Sequence, residues 1–139
     1  MKILIRFLTI GIIFLGFITL AGCQKQERTW ANSKADKVRV ISPQAYEKIT
    51  SPLVVTGEAR GTWYFEASFP LRLIDSNGNE LAITPAQAQA EWMTEEFVPF
   101  AATLEFTTNA ENGTLVLEKD NPSGLPEHAD ELRIPVIFK

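Results

Sequence analysis

The sequence predicts an all-β domain, a β-sandwich of seven to eight antiparallel strands, from three observations. Apolar and polar residues alternate along several segments between residue 37 and the C-terminus, which is the two-residue period of a strand with one buried face. Clusters of glycine, proline, asparagine and serine separate these segments at short intervals. Pro70, Pro99 and Pro135 fall on the outward parity of strand patterns, as expected where many strands lie at sheet edges or bend.

The longest alternation lies within residues 61–75, and from Trp63 onward it predicts one long strand over residues 63–75. Its inward row is apolar throughout, and its outward row includes Glu66 and Arg72. The inward residues are Trp63, Phe65, Ala67, Phe69, Leu71 and Leu73. The strand ends at Asp75 in a stretch that contains Asn77-Gly78, a pair that favours the turns of β-hairpins.

Shorter strands are predicted on both sides of this one. Residues 84–96 leave an alternative open, because Thr84-Pro85 with Gln87 also resembles a helix start, but the alternation favours a strand. The other predicted strands cover residues 37–41, 53–57, 81–83, 98–106, 114–120 and 132–138.

The first 22 residues have the pattern of a lipoprotein signal peptide. Lys2 and Arg6 precede an apolar run, and the sequence Leu20-Ala21-Gly22-Cys23 resembles the bacterial lipobox. In that motif a diacylglyceryl group is attached to the cysteine thiol and the chain is cut just before it. The apolar run is shorter than the roughly 20 residues of a spanning helix, so an uncleaved anchor is disfavoured. Residues 1–22 are therefore predicted to be removed and Cys23 to be lipidated.

The remaining chain is predicted to hold a tether at residues 23–36 and one folded domain at residues 37–139. The tether is polar apart from Trp30, and its sequence has no periodicity. Removal of the signal peptide leaves 11 basic and 17 acidic residues, which argues against nucleic acid as a partner. The lipid would hold the domain at the cell membrane or the outer membrane, facing the extracytoplasmic side.

Several segments together resemble the immunoglobulin-like domain of bacterial spore germination proteins. These segments are residues 51–61 and 63–73, Trp92-Met93-Thr94, Phe97-Val98-Pro99-Phe100, and residues 113–124. The resemblance implies an immunoglobulin-like sandwich that serves as an accessory module of the envelope, often beside a second germination-type domain. It supplies no catalytic residues.

No constellation of an enzyme is evident, so the protein is predicted not to be one. His128 is the only histidine, Cys23 is the only cysteine, and no Gly-x-Ser-x-Gly elbow occurs. No cofactor is predicted, and zinc lacks its usual ligands.

The predicted role is interaction with an unknown envelope protein or organisation of the envelope. Arg60, Glu66 and Arg72 are candidate contacts on outward strand faces, and Leu125 is a candidate apolar loop tip. The alternative is a module that binds glycan or calcium through the loop at residues 121–130, where Asp120, Asn121, Asp130 and Glu131 offer oxygen ligands.

Overall fold

The computed structural model describes residues 34–139, and this part of the chain is built from eight β-strands and two short 3₁₀ turns. The predicted signal peptide, Cys23 and most of the predicted tether lie outside the described residues. The strands are β1 (Val38–Ser42), β2 (Lys48–Ile49), β3 (Leu53–Arg60), β4 (Ser68–Asp75), β5 (Glu80–Ala88), β6 (Phe97–Leu104), β7 (Asn112–Glu118) and β8 (Glu131–Phe138), and the 3₁₀ turns are Gly61–Trp63 and Pro126–His128.

All eight strands belong to one curled sheet in the order β1-β3-β6-β5-β4-β7-β8-β2. β5 pairs with β4 from Ser68 to Ile74 but with β6 only at Ala101 and Phe100, so the sheet divides there into two parts. Buried side chains from both parts form one apolar core. The ring of Phe69 on β4, for example, packs edge-on against Phe100 on β6 with 5.0 Å between centroids. The predicted β-sandwich is confirmed.

The two edge strands are neighbours in sequence, which explains the curl. β1 and β2 lie at opposite ends of the strand order, yet only residues 43–47 connect them. Five extended residues reach at most about 18 Å, so the two edges of the sheet must approach each other. β2 pairs with β8 in parallel, whereas every other pairing is antiparallel. The prediction of antiparallel strands throughout is corrected at this one place.

The inward rows of the strands agree with the sequence pattern over most of the domain. Leu71 and Leu73 of β4 and Leu115 and Leu117 of β7 are fully buried. Burial of each such side chain contributes about 1.5–3 kcal/mol to folding. Val116, between two of these leucines, is also buried, although it belongs to the outer row of β7.

The long strand predicted for residues 63–75 is wrong in its first part. Gly61–Trp63 is a 3₁₀ turn, and β4 begins only at Ser68. Between them the chain makes a tight turn, with Glu66 and Ala67 at positive φ and two backbone hydrogen bonds joining Phe65 and Ser68. Trp63 and Tyr64 are both buried, while Phe65 is exposed, so the alternation is broken there.

The hairpin and the return strand follow the prediction. The carboxylate of Asp75 accepts hydrogen bonds from the backbone N–H groups of Asn77 and Asn79 and from the Asn79 side chain. These bonds, that from the Asn79 side chain foremost, lower the pKa of Asp75. β5 is a strand, not a helix, but it ends at Ala88, and residues 89–96 form a loop before β6.

Candidate functional site

One end of the sandwich gathers four connecting segments, which we call the loop end. They are the turn at residues 34–37, the β3–β4 connection at residues 61–67, the β5–β6 loop at residues 89–96 and the β7–β8 loop at residues 119–130. These segments meet because β3, β5 and β7 end on the side of the molecule where β4, β6 and β8 begin.

Backbone hydrogen bonds connect the segments of the loop end. The Arg60 N–H donates to the carbonyl of Lys37 (2.8 Å), and the Gly61 N–H donates to that of Glu96 (3.0 Å). The Asp120 N–H donates to the carbonyl of Trp63 (3.0 Å). These bonds between separate segments hold the backbone of the four loops in one arrangement.

Asp130 joins the first of these segments to the last. Its carboxylate accepts hydrogen bonds from the ammonium groups of Lys34 and Lys37, the latter at 2.9 Å. Burial acts to raise the pKa of Asp130, but the two lysines outweigh it and leave the pKa below its ordinary value. The hydrogen bond between Lys37 and Asp130 also raises the pKa of Lys37. Lys34–Asp36, the last part of the predicted tether, thus forms a turn fastened to the domain.

Three of the four segments each expose one large apolar side chain. Phe65 is 42% exposed, Met93 is 73% exposed and Leu125 is 46% exposed. Each lies on a different loop of the same end. We call these three residues the apolar tips.

The loop end is also acidic. Its four segments hold eight acidic and three basic residues, a formal charge of −5. The acidic residues are Asp36, Glu66, Glu91, Glu95, Glu96, Asp120, Glu127 and Asp130, and the basic ones are Lys34, Lys37 and Lys119. All five glutamates of the loop end are exposed, so their carboxylates surround the apolar tips with negative charge.

The structure brings three of the four candidate contacts to this end and separates the fourth. Leu125 is an apolar tip, and Glu66 lies beside the tip Phe65 in the turn before β4. Arg60 lies at the end of β3, where its guanidinium donates to the carbonyls of Asp36 and Glu95 and stacks 4.1 Å from the ring centroid of Phe97. Arg72 lies on β4, in the other part of the sheet.

Arg72 is occupied by partners on neighbouring strands. Its guanidinium pairs with Glu118 of β7 at 2.7 Å and with Glu80 of β5. These hydrogen bonds, that to Glu80 foremost, raise the pKa of Arg72. The geometry gives Arg72 a role in joining three strands across the outer face.

The loop at residues 121–130 is ordered by its own side chains. The Asn121 amide donates to the carbonyl of Leu125 (2.8 Å), and the Ser123 hydroxyl lies 2.6 Å from the Asn121 side-chain oxygen. Both carboxylate oxygens of Asp130 bind lysines, so this residue is a poor calcium ligand. Within residues 34–139 no three acidic, histidine or cysteine side chains converge as a metal site would require.

Comparison with known families decides the relationship of the chain. The family model described as "Immunoglobulin-like domain of bacterial spore germination" matches residues 37–124, well over half of the sequence. The chain belongs to this family. No curated protein and no solved structure gives a significant match.

The strand order of this germination-type immunoglobulin-like domain agrees with that assignment. β1, β3 and β6 follow the order A-B-E of one immunoglobulin sheet, and β4, β7 and β8 follow the order C-F-G of the other, with β5 paired mainly with β4. Domains of this type generally serve interaction and not catalysis. Among residues 34–139 no helix has the length and apolar character needed to cross a membrane.

Sequence reasoning missed two apolar tips and the role of Asp130. Phe65 was assigned to the inward row of a strand, because the alternation continues through a turn that only positive φ values reveal. Met93 was placed within a strand pattern that ends earlier. The pairing of Asp130 with Lys34 joins residues 96 positions apart, and no local signal marks such a contact.

A groove lies beside β8, and no pattern in the sequence indicates it. It has a volume of about 1030 Å³ and extends from Lys34 at the loop end to Tyr46, which lies beside Pro135 in the second half of β8. Its floor and walls come from β7, β8, Pro70 of β4 and the base of the β7–β8 loop of the germination-type domain. The lining includes Thr114, Glu118, Asp130, Arg133 and Pro135.

Proposed function

We propose that this chain is a lipid-anchored, non-enzymatic envelope protein whose immunoglobulin-like domain docks another envelope protein through the loop end. The observation that carries the proposal is the arrangement of Phe65, Met93 and Leu125, one on each of three loops, among exposed carboxylates. Loops on a rigid sandwich are the usual place for recognition in domains of this architecture.

The chemistry of the loop end supports a partner whose surface has basic residues around apolar ones. The apolar tips lose contact with water on docking, at about 25 cal/mol per Å² of apolar area. The surrounding carboxylates select a basic partner and speed its approach, an effect that salt weakens. The hydrogen bonds among the four segments mean that little backbone order must be gained on binding.

The lipid anchor is supported by the order of signals at the start of the sequence. A basic start, an apolar run and Leu20-Ala21-Gly22-Cys23 follow one another at the spacing of a lipoprotein signal. Two or three acyl chains on Cys23 would hold the protein at the membrane far more firmly than one chain does. The domain would then face the extracytoplasmic side of the cell membrane or the outer membrane.

Replacement of Cys23 tests the anchor. We expect Cys23→Ser to abolish incorporation of radiolabelled palmitate and to leave the chain uncut at precursor size, because the thiol accepts the lipid before the cut. Ser33→Ala, in the tether, is the matched control and should be labelled and processed like the wild type. Labelling and normal processing of Cys23→Ser would refute the lipobox interpretation.

A photoreactive amino acid at position 125 tests the docking surface. We expect it to give a protein adduct in intact cells, whereas the same group at position 83 gives none. Ile83 is a suitable control because it is an exposed apolar residue on β5, away from the loop end. The adduct should identify a partner that binds the purified domain more weakly as salt is raised. Equal adducts from both positions, or none from position 125, would rule out the loop end as the docking surface.

A further inference from the structure

The edge of β8 is open over its first half. Among the described residues β2 covers only Ile137 and Phe138 of β8, and no strand pairs with the edge from Glu131 to Arg133. The carbonyl of Pro135 accepts a hydrogen bond from the Tyr46 N–H at this edge, and the Ile137 N–H donates to Glu47 there. Because backbone groups alternate in direction along a strand, the N–H and C=O of Arg133 also point to this edge.

The groove described above follows this open edge. It is lined by every residue from Asp130 to Pro135, with Lys34 at one end and Tyr46 at the other. An open strand edge beside a groove is the geometry at which an extended segment adds to a sheet.

The chain itself enters at one end of this groove. Lys34 lines the groove, and its ammonium group pairs with Asp130, the residue directly before β8. The residues before Lys34 therefore start where the open edge starts. A segment that follows the edge away from Lys34 runs antiparallel to β8.

We infer that residues 29–33 of this chain bind in the groove as a short antiparallel strand along β8. Five extended residues span about 17 Å, which is the length of residues 131–135, the open edge together with the two residues that follow it. The segment reads Thr29-Trp30-Ala31-Asn32-Ser33, and Thr and Trp favour strands. Trp30 lies four residues from Lys34, so it reaches the far part of the groove near Pro135 and Tyr46. An apolar tryptophan in a polar segment thereby gains a binding site.

This docking sets the orientation of the domain on its anchor. The chain then leaves the domain past the middle of β8, on the side away from the loop end, so the loop end points away from the membrane. Only residues 24–28 remain between Cys23 and the domain, a reach of at most about 18 Å. The inference concerns the groove and stands independently of the partner proposed for the loop end.

Photocrosslinking from position 30 tests the inference in the full-length protein in its membrane. With a photoreactive phenylalanine derivative in place of Trp30, we expect an adduct within the same chain, mapped by mass spectrometry to residues 43–47 or 131–135. The same group at Gln26 is the control and should give no adduct there. An adduct of dimer size, an adduct to another protein, or no intrachain adduct at these residues would each overturn the inference.

Amide hydrogen exchange gives an independent readout that does not depend on a probe. Replacing residues 29–33 by Gly-Ser-Gly-Ser-Gly should speed exchange of the Arg133 amide by about tenfold or more, because its hydrogen-bond partner is lost. The Leu115 amide, inside the sheet, should exchange unchanged and so reports that the fold is intact. An unchanged rate at Arg133 in this variant would contradict the added strand.

Discussion

Gly61 shows at the scale of one residue how the loop end is assembled. A Cβ atom added at Gly61 would lie 1.8 Å from the carbonyl oxygen of Thr94 and 2.4 Å from that of Trp92. Only glycine therefore lets the β5–β6 loop pack against the start of the β3–β4 connection. The Gly61 N–H also donates to Glu96 of that loop, so contact and hydrogen bond occur at the same place.

Substitution of this glycine has a predictable cost. We expect Gly61→Ala to lower the free energy of unfolding by about 1–3 kcal/mol, because the added methyl group overlaps fixed backbone atoms. Gly78→Ala is the matched control: Gly78 has φ of +86° but nothing lies within 4 Å of an added Cβ. Its cost should be about 1 kcal/mol, from the backbone conformation alone. Urea unfolding of the two variants measures both costs. Equal losses of unfolding free energy would argue against tight loop packing at Gly61.

At this scale the sequence identified buried residues well and turns poorly. Phe69, Leu71 and Leu73 lie on the predicted inward row and are buried. Tyr64 was placed outward, yet it is buried, and its hydroxyl donates to the Val98 carbonyl at 2.7 Å. Alternation predicts a strand, but it does not reveal that the backbone turns at Glu66.

At the scale of structural elements, the ion pairs of Asp130 with Lys34 and Lys37 connect two loops. They fasten the turn at residues 34–37 to the start of β8, the strand beside the groove. The depressed pKa of Asp130 stabilises the fold above the ordinary pKa of aspartate, and this contribution is lost as pH falls through the folded pKa. The raised pKa of Lys37 has the opposite window: its contribution is present at neutral pH and is lost as pH rises through the folded pKa.

Removal of the Asp130 charge tests this connection. We expect Asp130→Asn to lower the free energy of unfolding by about 1–2 kcal/mol at pH 7, because charge-assisted hydrogen bonds to two lysines are lost. The difference from the wild type should shrink as pH falls through the lowered pKa of Asp130, because the protonated carboxyl group no longer carries the charge. Asp36 is exposed on the turn at residues 34–37, so Asp36→Asn should change the free energy of unfolding by less than about 0.5 kcal/mol. A difference for Asp130→Asn that stays constant as pH is lowered through the acid range would contradict the proposed ion pairs.

The existence of the elements was more predictable than their pairing. Alternation predicts seven of the eight strands, but β2 has two residues and pairs in parallel with the distant β8. Such a contact depends on the curl of the whole sheet, and no pattern within residues 48–49 encodes it. The open edge of β8, and with it the groove, follows from the shortness of β2.

The whole molecule combines an anchor predicted from sequence with a binding end seen only in the fold. The topology brings Phe65, Met93 and Leu125 to one end, although they are separated by about 30 residues each in the chain. The sequence predicts only Leu125, Glu66 and Arg60 as contacts at this end, because the convergence of the loops depends on long-range strand pairing. The tether strand along β8 would turn this end outward, toward partners in the envelope.

The measurement that tests the central claim most directly is the yield of the position 125 photoadduct in charge-reversed variants. Glu95→Lys, Glu96→Lys and Glu127→Lys together reverse three exposed charges at the loop end. Glu105→Lys with Glu111→Lys changes exposed charges on the β6–β7 connection at the opposite end and is the control. The account predicts that the first set abolishes the adduct with the partner while the control set leaves its yield unchanged. An equal yield in both sets would contradict docking through an acidic loop end.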